Sequence, residues 1–297
     1  MSSHANEGAP AFIAPPLSCD THFHVFGAAG QYPYGGGLRY QPPHAPLETY
    51  LDLSRHLGVE RFVFVQPSAY ARDNRCMLDA MRTLTAQRGA ACCRGIVDID
   101  EDIPDAELRA LHAAGVRGVR INVSPVHAPT AGLADSMIPR IRKFEARFVT
   151  LGLAPCWQLD FLLPGWLTLE LMPVLASLKI DFTLAHMGMF LAKDGPAQAG
   201  FRYLLDLIKN GSGRAHVKLT GSYRMGTLPS MADCTPMAQA LIEAAPDRII
   251  WGSDYPHLSF ADKVGSVQLF NLLADWAPDA KVRQKILVEN PQRLFGF

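Results

Sequence analysis

The sequence has no excess of charge of either sign and no long hydrophobic run. Lysine and arginine together number 28, as do aspartate and glutamate, so the formal net charge at pH 7 is zero. Binding to nucleic-acid phosphates calls for a basic surplus, and no apolar run reaches the roughly 18–20 residues of a membrane span. The N-terminus also has no charged segment followed by an apolar one. We therefore expect a cytoplasmic protein without nucleic-acid or membrane partners.

Cysteine is sparse and shows no pairing pattern. None of the six cysteines forms a C-x-x-C pair, which argues against a zinc knuckle. Several fall inside apolar runs, which favours buried thiols in a reducing compartment.

The chain is 48% hydrophobic and 19% charged, and this composition is sufficient for a large hydrophobic core.

Short apolar runs separated by helix-length segments are abundant. The runs are apolar or β-branched in their middles, as strands buried on both faces are. The segment 105–114 has apolar residues three apart and ends at Gly115, as a helix with a glycine cap does. Eight alternations predict an α/β fold with a closed parallel (β/α)8 barrel; an open sheet with two additional strands is the alternative. The runs are 19–26, 61–67, 94–100, 118–123, 154–160, 181–186, 215–220 and 248–254.

Histidines and an aspartate stand at the ends of three runs. His22 and His24 close the first run and, being two apart on a strand, face the same side. Such a pair can share a metal ion or donate hydrogen bonds to an oxyanion. His186 ends the sixth run and Asp254 the eighth, and the carboxyl ends of barrel strands meet at one mouth. We expect all four to converge there; the alternatives are histidines that cap a strand and an aspartate that caps a loop.

Two charged residues lie in apolar surroundings and are therefore candidates for a catalytic or a substrate-binding role. Asp254 would remain ionised beside imidazoles or a metal and could take a proton from water. Arg120 lies within a buried run, where its charge needs an internal carboxylate or an anionic substrate group as partner. A guanidinium matches a carboxylate in a bidentate manner, so Arg120 is a candidate for substrate binding.

Five further residues are weaker candidates for the substrate pocket. Arg224 follows the seventh run and could equally be exposed to solvent, while His257 could assist Asp254 or simply terminate a turn. Tyr40, Tyr70 and Trp157 could form an aromatic wall, or each could be packed in the core.

The motifs resemble the amidohydrolase superfamily, in the branch of 2-pyrone-4,6-dicarboxylate hydrolases and related sugar and aromatic-pathway lactonases. The resemblance implies a single-domain, distorted (β/α)8 TIM-like barrel over residues 18–297, after an N-terminal extension of residues 1–17. It also implies a lactone hydrolase of aromatic compound catabolism. The matching stretches are DTHFHVFG, QYPY, VQPSAYARDN, AGVRGVRINV, LAHMG, VKLTGSYR, IIWGSDYPH and ENPQRLFGF.

The resemblance also implies roles for individual residues. Asp254 matches the aspartate that activates water, and Arg120 and Arg224 match arginines that hold substrate carboxylates or line the pocket. The other matches are three histidines around the reacting carbonyl and two pocket positions: His22, His24, His186, Tyr40 and Ser68.

The chain departs from this pattern at several positions. The loop after the fourth run contains His127 and lacks the expected arginine, Trp157 replaces a tyrosine, and Tyr70 replaces a histidine. We therefore expect a lactone with fewer or differently placed carboxylates than the pyrone dicarboxylate.

The cofactor expectation is either no cofactor or one divalent ion, with zinc preferred. A mononuclear site would use the three imidazoles and the carboxylate, and the absence of a bridging lysine near the fourth run argues against a binuclear site. The candidate ligands are His22, His24, His186 and Asp254.

Two alternative functions remain open at this point. One is a zinc-dependent, non-oxidative decarboxylase of the same superfamily, and the other is a non-catalytic protein that binds a small acid. The sequence is compatible with a monomer or a homo-oligomer.

Overall fold

Eight parallel strands form one sheet, paired in sequence order. The computed structural model describes residues 8–35, 38 and 40–297; residues 1–7 of the predicted N-terminal extension lie outside this range, as do Gly36, Gly37 and Arg39. The strands are β1 (Cys19–Phe23), β2 (Arg61–Val65), β3 (Cys93–Val97), β4 (Val116–Asn122), β5 (Gln158–Leu162), β6 (Asp181–Leu184), β7 (Ala215–Leu219) and β8 (Ile249–Trp251).

One α-helix follows each strand, which confirms the predicted (β/α)8 barrel. Two short α-helices and a π-helical turn (Lys285–Glu289) follow α8, and six short 3₁₀ helices lie in the loops of the described chain. The helices are α1 (Leu47–Leu57), α2 (Arg75–Arg88), α3 (Asp105–Ala113), α4 (Leu133–Thr150), α5 (Gly165–Ala176), α6 (Ala199–Asn210), α7 (Thr235–Ala244), α8 (Ser266–Trp276), α9 (Ala280–Gln284) and α10 (Asn290–Phe295).

Two backbone hydrogen bonds join the last strand to the first, near the carboxyl ends of β8 and β1. The Asp254 amide donates to the His22 carbonyl and the His24 amide donates to the Tyr255 carbonyl, both at 2.8 Å. Gly252 makes this approach possible, because an added Cβ would lie only 2.7 Å from the Cβ of His22. The close seam brings the end of the eighth strand against the end of the first.

The core lies between the strands and the apolar stripes of the helices. In α6, Phe201, Leu204 and Ile208 are buried at spacings of three and four residues. Burial of side chains of this size contributes about 1.5–3 kcal/mol each. The described part of the N-terminal segment packs on the barrel, since Phe12 stacks on Phe270 of α8 at 4.5 Å.

The fifth strand begins later than predicted. The run 154–160 was expected to be the strand, but β5 is Gln158–Leu162, because the apolar residues before it form the turn after α4. In that turn the Trp157 amide donates to the Leu153 carbonyl at 2.9 Å. Trp157, which falls inside the predicted run, therefore lies just before the strand, and Gln158 is its first residue.

The cysteines are as expected from the sequence: all six are free thiols and five of them are buried. Across the described residues, no helix has both the length and the apolar character needed to cross a bilayer.

Candidate active site

The structure brings three imidazoles together around one carboxylate at the carboxyl end of the barrel. The Nε2 atoms of His22 and His24 lie 3.5 and 3.6 Å from Asp254 Oδ1. His186 Nε2 lies 3.7 Å from the other oxygen, Oδ2. All four side chains are buried. The separations exceed the 2.7–3.2 Å of a direct hydrogen bond, so the groups face one another across a small gap.

The local backbone explains how these side chains reach one point. His22 and His24 are two residues apart at the end of β1 and share a face. His186 lies two residues after β6 and Asp254 three residues after β8, both in the left-handed conformation, with φ of 51° and 57°. Such conformations cost roughly 1–3 kcal/mol in a non-glycine residue and cluster at active sites. At Gly221 an added Cβ would lie 2.5 Å from His186 Nδ1, so this glycine leaves room for the imidazole.

Two hydrogen-bond donors contact the Oδ2 oxygen of Asp254. The Tyr223 hydroxyl donates to Oδ2 at 2.6 Å, and Arg224 Nε lies 3.3 Å from the same atom. Oδ1 is thereby left facing His22 and His24. Sequence reasoning identified Arg224 but missed Tyr223, for which the only signal was its position beside that arginine after the seventh strand.

Electrostatics keep Asp254 ionised and the imidazoles neutral. Burial by itself raises the pKa of Asp254, but its neighbours, chiefly His186 and Arg224, outweigh it and hold the pKa well below its usual range. Burial lowers the pKa of His186 to about 3 and also lowers the pKa values of His22 and His24. At neutral pH the site therefore holds a carboxylate that can accept a proton, surrounded by neutral imidazoles.

The second ring nitrogen of each imidazole has its own partner. His24 Nδ1 lies 2.7 Å from the Val65 carbonyl, which only accepts, so Nδ1 carries the proton and the neutral ring presents a lone pair at Nε2. His186 Nδ1 lies 2.7 Å from Thr220 Oγ1. These contacts fix the ring orientations.

A buried ion pair lies beneath His22 in the barrel interior. Lys218 donates to Asp160, and both side chains are fully buried. Thr183 Oγ1 also donates to Asp160, at 2.8 Å, and Lys218 Nζ lies 3.4 Å from His22 Nδ1. Sequence reasoning missed this pair, although a lysine inside the apolar VKLT run was a signal of the same kind as Arg120.

Arg120 lies beside this cluster and retains an unused donor. Its side chain is buried and donates to the Gln66 carbonyl, while Nε has no hydrogen-bond partner among the described residues. Asp160, Asp254 and Tyr40 all interact with it electrostatically. The Tyr40 hydroxyl lies 3.4 Å from Ser68 Oγ, so these two predicted pocket residues are neighbours.

Of the two alternatives for Tyr40, Tyr70 and Trp157, an aromatic wall or packing in the core, Trp157 and Tyr70 follow the second. Trp157 lies before β5, away from the carboxyl end of the barrel, and its indole N–H donates to His112 Nδ1 at 3.1 Å. Tyr70 is buried, and its hydroxyl accepts from the Gly27 amide at 3.1 Å. The two rings complete the packing around neighbouring segments instead of lining the site.

His257 contacts residues of α8 and of the loop after β7. Its Nε2 lies 2.8 Å from Ser266 Oγ, at the first residue of α8, and the ring packs edge-on against Tyr223. The residue therefore ties the loop after β8 to the next helix. This contact agrees with the alternative in which His257 terminates a turn, while a role beside Asp254 stays a prediction.

A cavity of about 490 Å³ opens beside Arg224. Loops that follow β4 to β8 line it, mostly with aromatic and aliphatic side chains. The indole N–H of Trp166 donates to the His127 carbonyl at 2.9 Å, which anchors the loop that lacks the expected arginine. The apolar lining of the cavity includes Val126, Trp166, Leu169, Phe190 and Phe260.

The donor types and their spacing fit one divalent ion. The ligand atoms of His22, His24 and Asp254 all lie within 4.8 Å of one another, and His22 Nε2 has no hydrogen-bond partner in the described part of the chain. Two imidazoles and a carboxylate are zinc ligands. His186, predicted as a fourth ligand, faces the other oxygen of Asp254.

Comparisons with known proteins show the family to which the chain belongs. A model of the amidohydrolase family matches residues 19–297. The chain is 35% identical over 293 residues to 4-sulfomuconolactone hydrolase of Hydrogenophaga intermedia, covering 96% of this chain and 90% of that protein. It is 30% identical over 303 residues to 2-pyrone-4,6-dicarboxylate hydrolase of Comamonas testosteroni, covering 98% and 94%. A solved structure of a probable 2-pyrone-4,6-dicarboxylic acid hydrolase from Acinetobacter baumannii with citric acid bound matches with a TM-score of 0.79 at 25% identity, covering 95% of this chain and 100% of that one.

Proposed function

This chain belongs to the amidohydrolase family, and we propose that it hydrolyses a lactone that carries a carboxylate or another anionic group. The observation that carries the proposal is the ionised, buried Asp254 facing three neutral imidazoles, with Arg120 and Arg224 close by. The relatives named above hydrolyse, by their names, a sulfonated muconolactone and a pyrone dicarboxylate, and both substrates are anionic lactones.

The proposed reaction adds water across the acyl C–O bond of the ring. Asp254 takes a proton from water, and the resulting hydroxide attacks the lactone carbonyl. An imidazole N–H donates to the developing oxyanion. When the C–O bond breaks, Asp254 returns the proton to the leaving oxygen, so the product is an open-chain hydroxy or enol acid. Zinc held by His22, His24 and Asp254 would supply Lewis-acid polarisation of the carbonyl.

The anionic group of the substrate is assigned to Arg120. Arg224 already pairs with Asp254 at 3.3 Å, whereas Arg120 has a buried Nε without a partner among the described residues. A buried guanidinium donor of this kind matches a carboxylate. The apolar cavity beside Arg224 suits an uncharged arm of the lactone, which agrees with the lack of an arginine in the His127 loop.

The proposal includes the setting in which the enzyme works. We place it in the cytoplasm in aromatic compound catabolism, acting on a small molecule without a nucleic-acid or membrane partner.

A panel of muconolactones, pyrone carboxylates and aldonolactones tests the function. Purified protein is mixed with each compound, and acidification is followed with a pH indicator while carbon dioxide is measured in the same vessel. We expect acidification without gas release for at least one anionic lactone. Gas release would indicate the decarboxylase, and binding without turnover of any compound would indicate the small-acid binding protein.

A further inference from the structure

Lys218 meets three hydrogen-bond acceptors inside the barrel. They are the Asp160 carboxylate, the Thr21 carbonyl at 3.2 Å and His22 Nδ1 at 3.4 Å. An ammonium group has three N–H donors and no acceptor. The three donors of Lys218 therefore match three acceptors, one of which is a ring nitrogen of the active-site cluster.

The pair of Lys218 and Asp160 is charged. Burial lowers the pKa of the Lys218 ammonium and raises the pKa of Asp160, and the close contact between the two groups opposes both effects, so that the Asp160 pKa lies below its usual range. Thr183 also donates to the same carboxylate oxygen, which stabilises the ionised form. A carboxylate without solvent contact needs a cationic partner, and Lys218, also without solvent contact, supplies it.

We propose that Lys218 is a positioning residue that holds His22 in the neutral tautomer with its proton on Nε2. Because the ammonium can only donate, Nδ1 of His22 must accept, and the single ring proton is then on Nε2. That atom is buried, points at Asp254 Oδ1 from 3.5 Å, and has no hydrogen-bond partner among the described residues. The ring thus presents an N–H donor to the centre of the site.

His24 is set the opposite way. Its Nδ1 donates to the Val65 carbonyl, so the neutral ring presents an Nε2 lone pair at 3.6 Å from Asp254 Oδ1. The two imidazoles of the H-x-H motif thus differ in chemistry, since one donates and the other accepts. The assignment of the His22 N–H to the lactone carbonyl oxygen rests on the proposed function; the tautomer itself does not.

This tautomer also affects metal binding. A divalent ion binds a ring nitrogen through its lone pair, so His22 Nε2 could bind zinc only if its proton moved to Nδ1, opposite the Lys218 ammonium. Lys218 is therefore expected to weaken zinc binding by the cluster of His22, His24 and Asp254.

Nitrogen NMR of the wild-type protein tests the tautomer directly. Histidine labelled with ¹⁵N in both ring positions gives long-range proton–nitrogen patterns that distinguish the two neutral forms, and loss of one pattern in His22→Asn assigns it. We expect a protonated Nε2 and an unprotonated Nδ1 for His22. The reverse pattern overturns the proposal. The measurement needs neither substrate nor turnover, so it remains decisive if the proposed lactone hydrolysis fails.

The variants Lys218→Met and Thr183→Val separate positioning from structural support. Both remove a hydrogen bond to Asp160, but only Lys218→Met removes the donor to His22. We expect Lys218→Met to bind zinc at least about tenfold more tightly than wild type in a competitive titration, the size of a typical outer-shell effect. Its kcat should fall about 10²-fold with little change in KM, as for loss of one oxyanion donor. Thr183→Val should stay within about threefold of wild type in both zinc affinity and kcat.

Unchanged or weaker zinc binding by Lys218→Met overturns the proposal, as do equal effects of the two variants. If Lys218→Met does not fold, the wild-type NMR pattern decides alone.

Discussion

Replacing Asp254 by asparagine removes the proposed base while keeping the shape of the side chain. Tyr223 and Arg224 both donate to Oδ2, so the amide oxygen will take that position and the NH₂ group will face His22 and His24. The backbone has φ of 57° at this residue, a conformation that asparagine tolerates. The variant should therefore fold with an amide donor where wild type has a proton acceptor.

The expected loss follows from the two proton transfers assigned to Asp254. A positioned general base contributes about 10²–10⁴-fold, and the same group returns the proton to the leaving oxygen. We expect kcat to fall at least about 10³-fold, equivalent to roughly 4 kcal/mol at 1.36 kcal/mol per tenfold change. KM should change little, because the anionic group of the substrate is assigned to Arg120.

Initial rates on the best lactone of the panel measure this loss, with a thermal melt to confirm folding. Asp181→Asn is a matched control, since Asp181 begins β6 at the opposite end of the barrel and pairs with Arg214 at 3.5 Å. The control should keep kcat within about twofold. A fall of tenfold or less in Asp254→Asn would refute the assignment of the base.

Three other measurements examine the substrate and the stability of the barrel. Arg120→Met should raise KM about 10- to 100-fold for an anionic lactone and leave the neutral methyl ester of the same lactone unaffected, since a charged hydrogen bond contributes about 1.5–3 kcal/mol; equal effects on both would remove Arg120 from anion binding. Trp166→Ala should raise KM about tenfold for lactones with an apolar arm and hardly at all for lactones without one, as expected for lost apolar contacts; an equal change in both would contradict the role of the cavity. Burial lowers the pKa of His216 to about 3. The neutral ring therefore makes its full contribution to the free energy of unfolding above the unfolded pKa of 6.5, and this contribution is lost as the pH falls from 6.5 towards 3. Urea unfolding should show His216→Gln losing about 2 kcal/mol less than wild type between pH 6.5 and pH 5, at 1.36 kcal/mol per pH unit, and equal losses would contradict this reading.

The barrel was predictable because its strands are buried on both faces. Continuous apolar runs with glycine-ended helices between them placed seven of the eight strands near their observed positions. The exception was β5, where apolar residues before the strand pack as a turn after α4 and extend the run in the wrong direction. Apolar composition identifies burial, but it does not distinguish a buried strand from a buried turn, and Trp157 therefore lies before the strand and not within it.

The convergence of His22, His24, His186 and Asp254 was predictable for a related reason. Each residue ends an apolar run, and the ends of parallel barrel strands share one mouth. What surrounds them was not predictable, because it depends on register across the barrel. Lys218 contacts Asp160 and His22 across 58 and 196 residues of sequence, and no local pattern encodes either distance.

The inward face of β7 links these contacts. Residues two apart on a strand share a face, so His216, Lys218 and Thr220, which directly follows the strand, form one line towards the mouth. Lys218 contacts His22, and Thr220 contacts His186, so one strand orients two of the three imidazoles. Bulky apolar residues usually fill such barrel interiors, and a buried ion pair is seldom more stable than an apolar pair of the same volume. Stability therefore does not account for a lysine at this position, whereas the proposed control of the ring proton of His22 does.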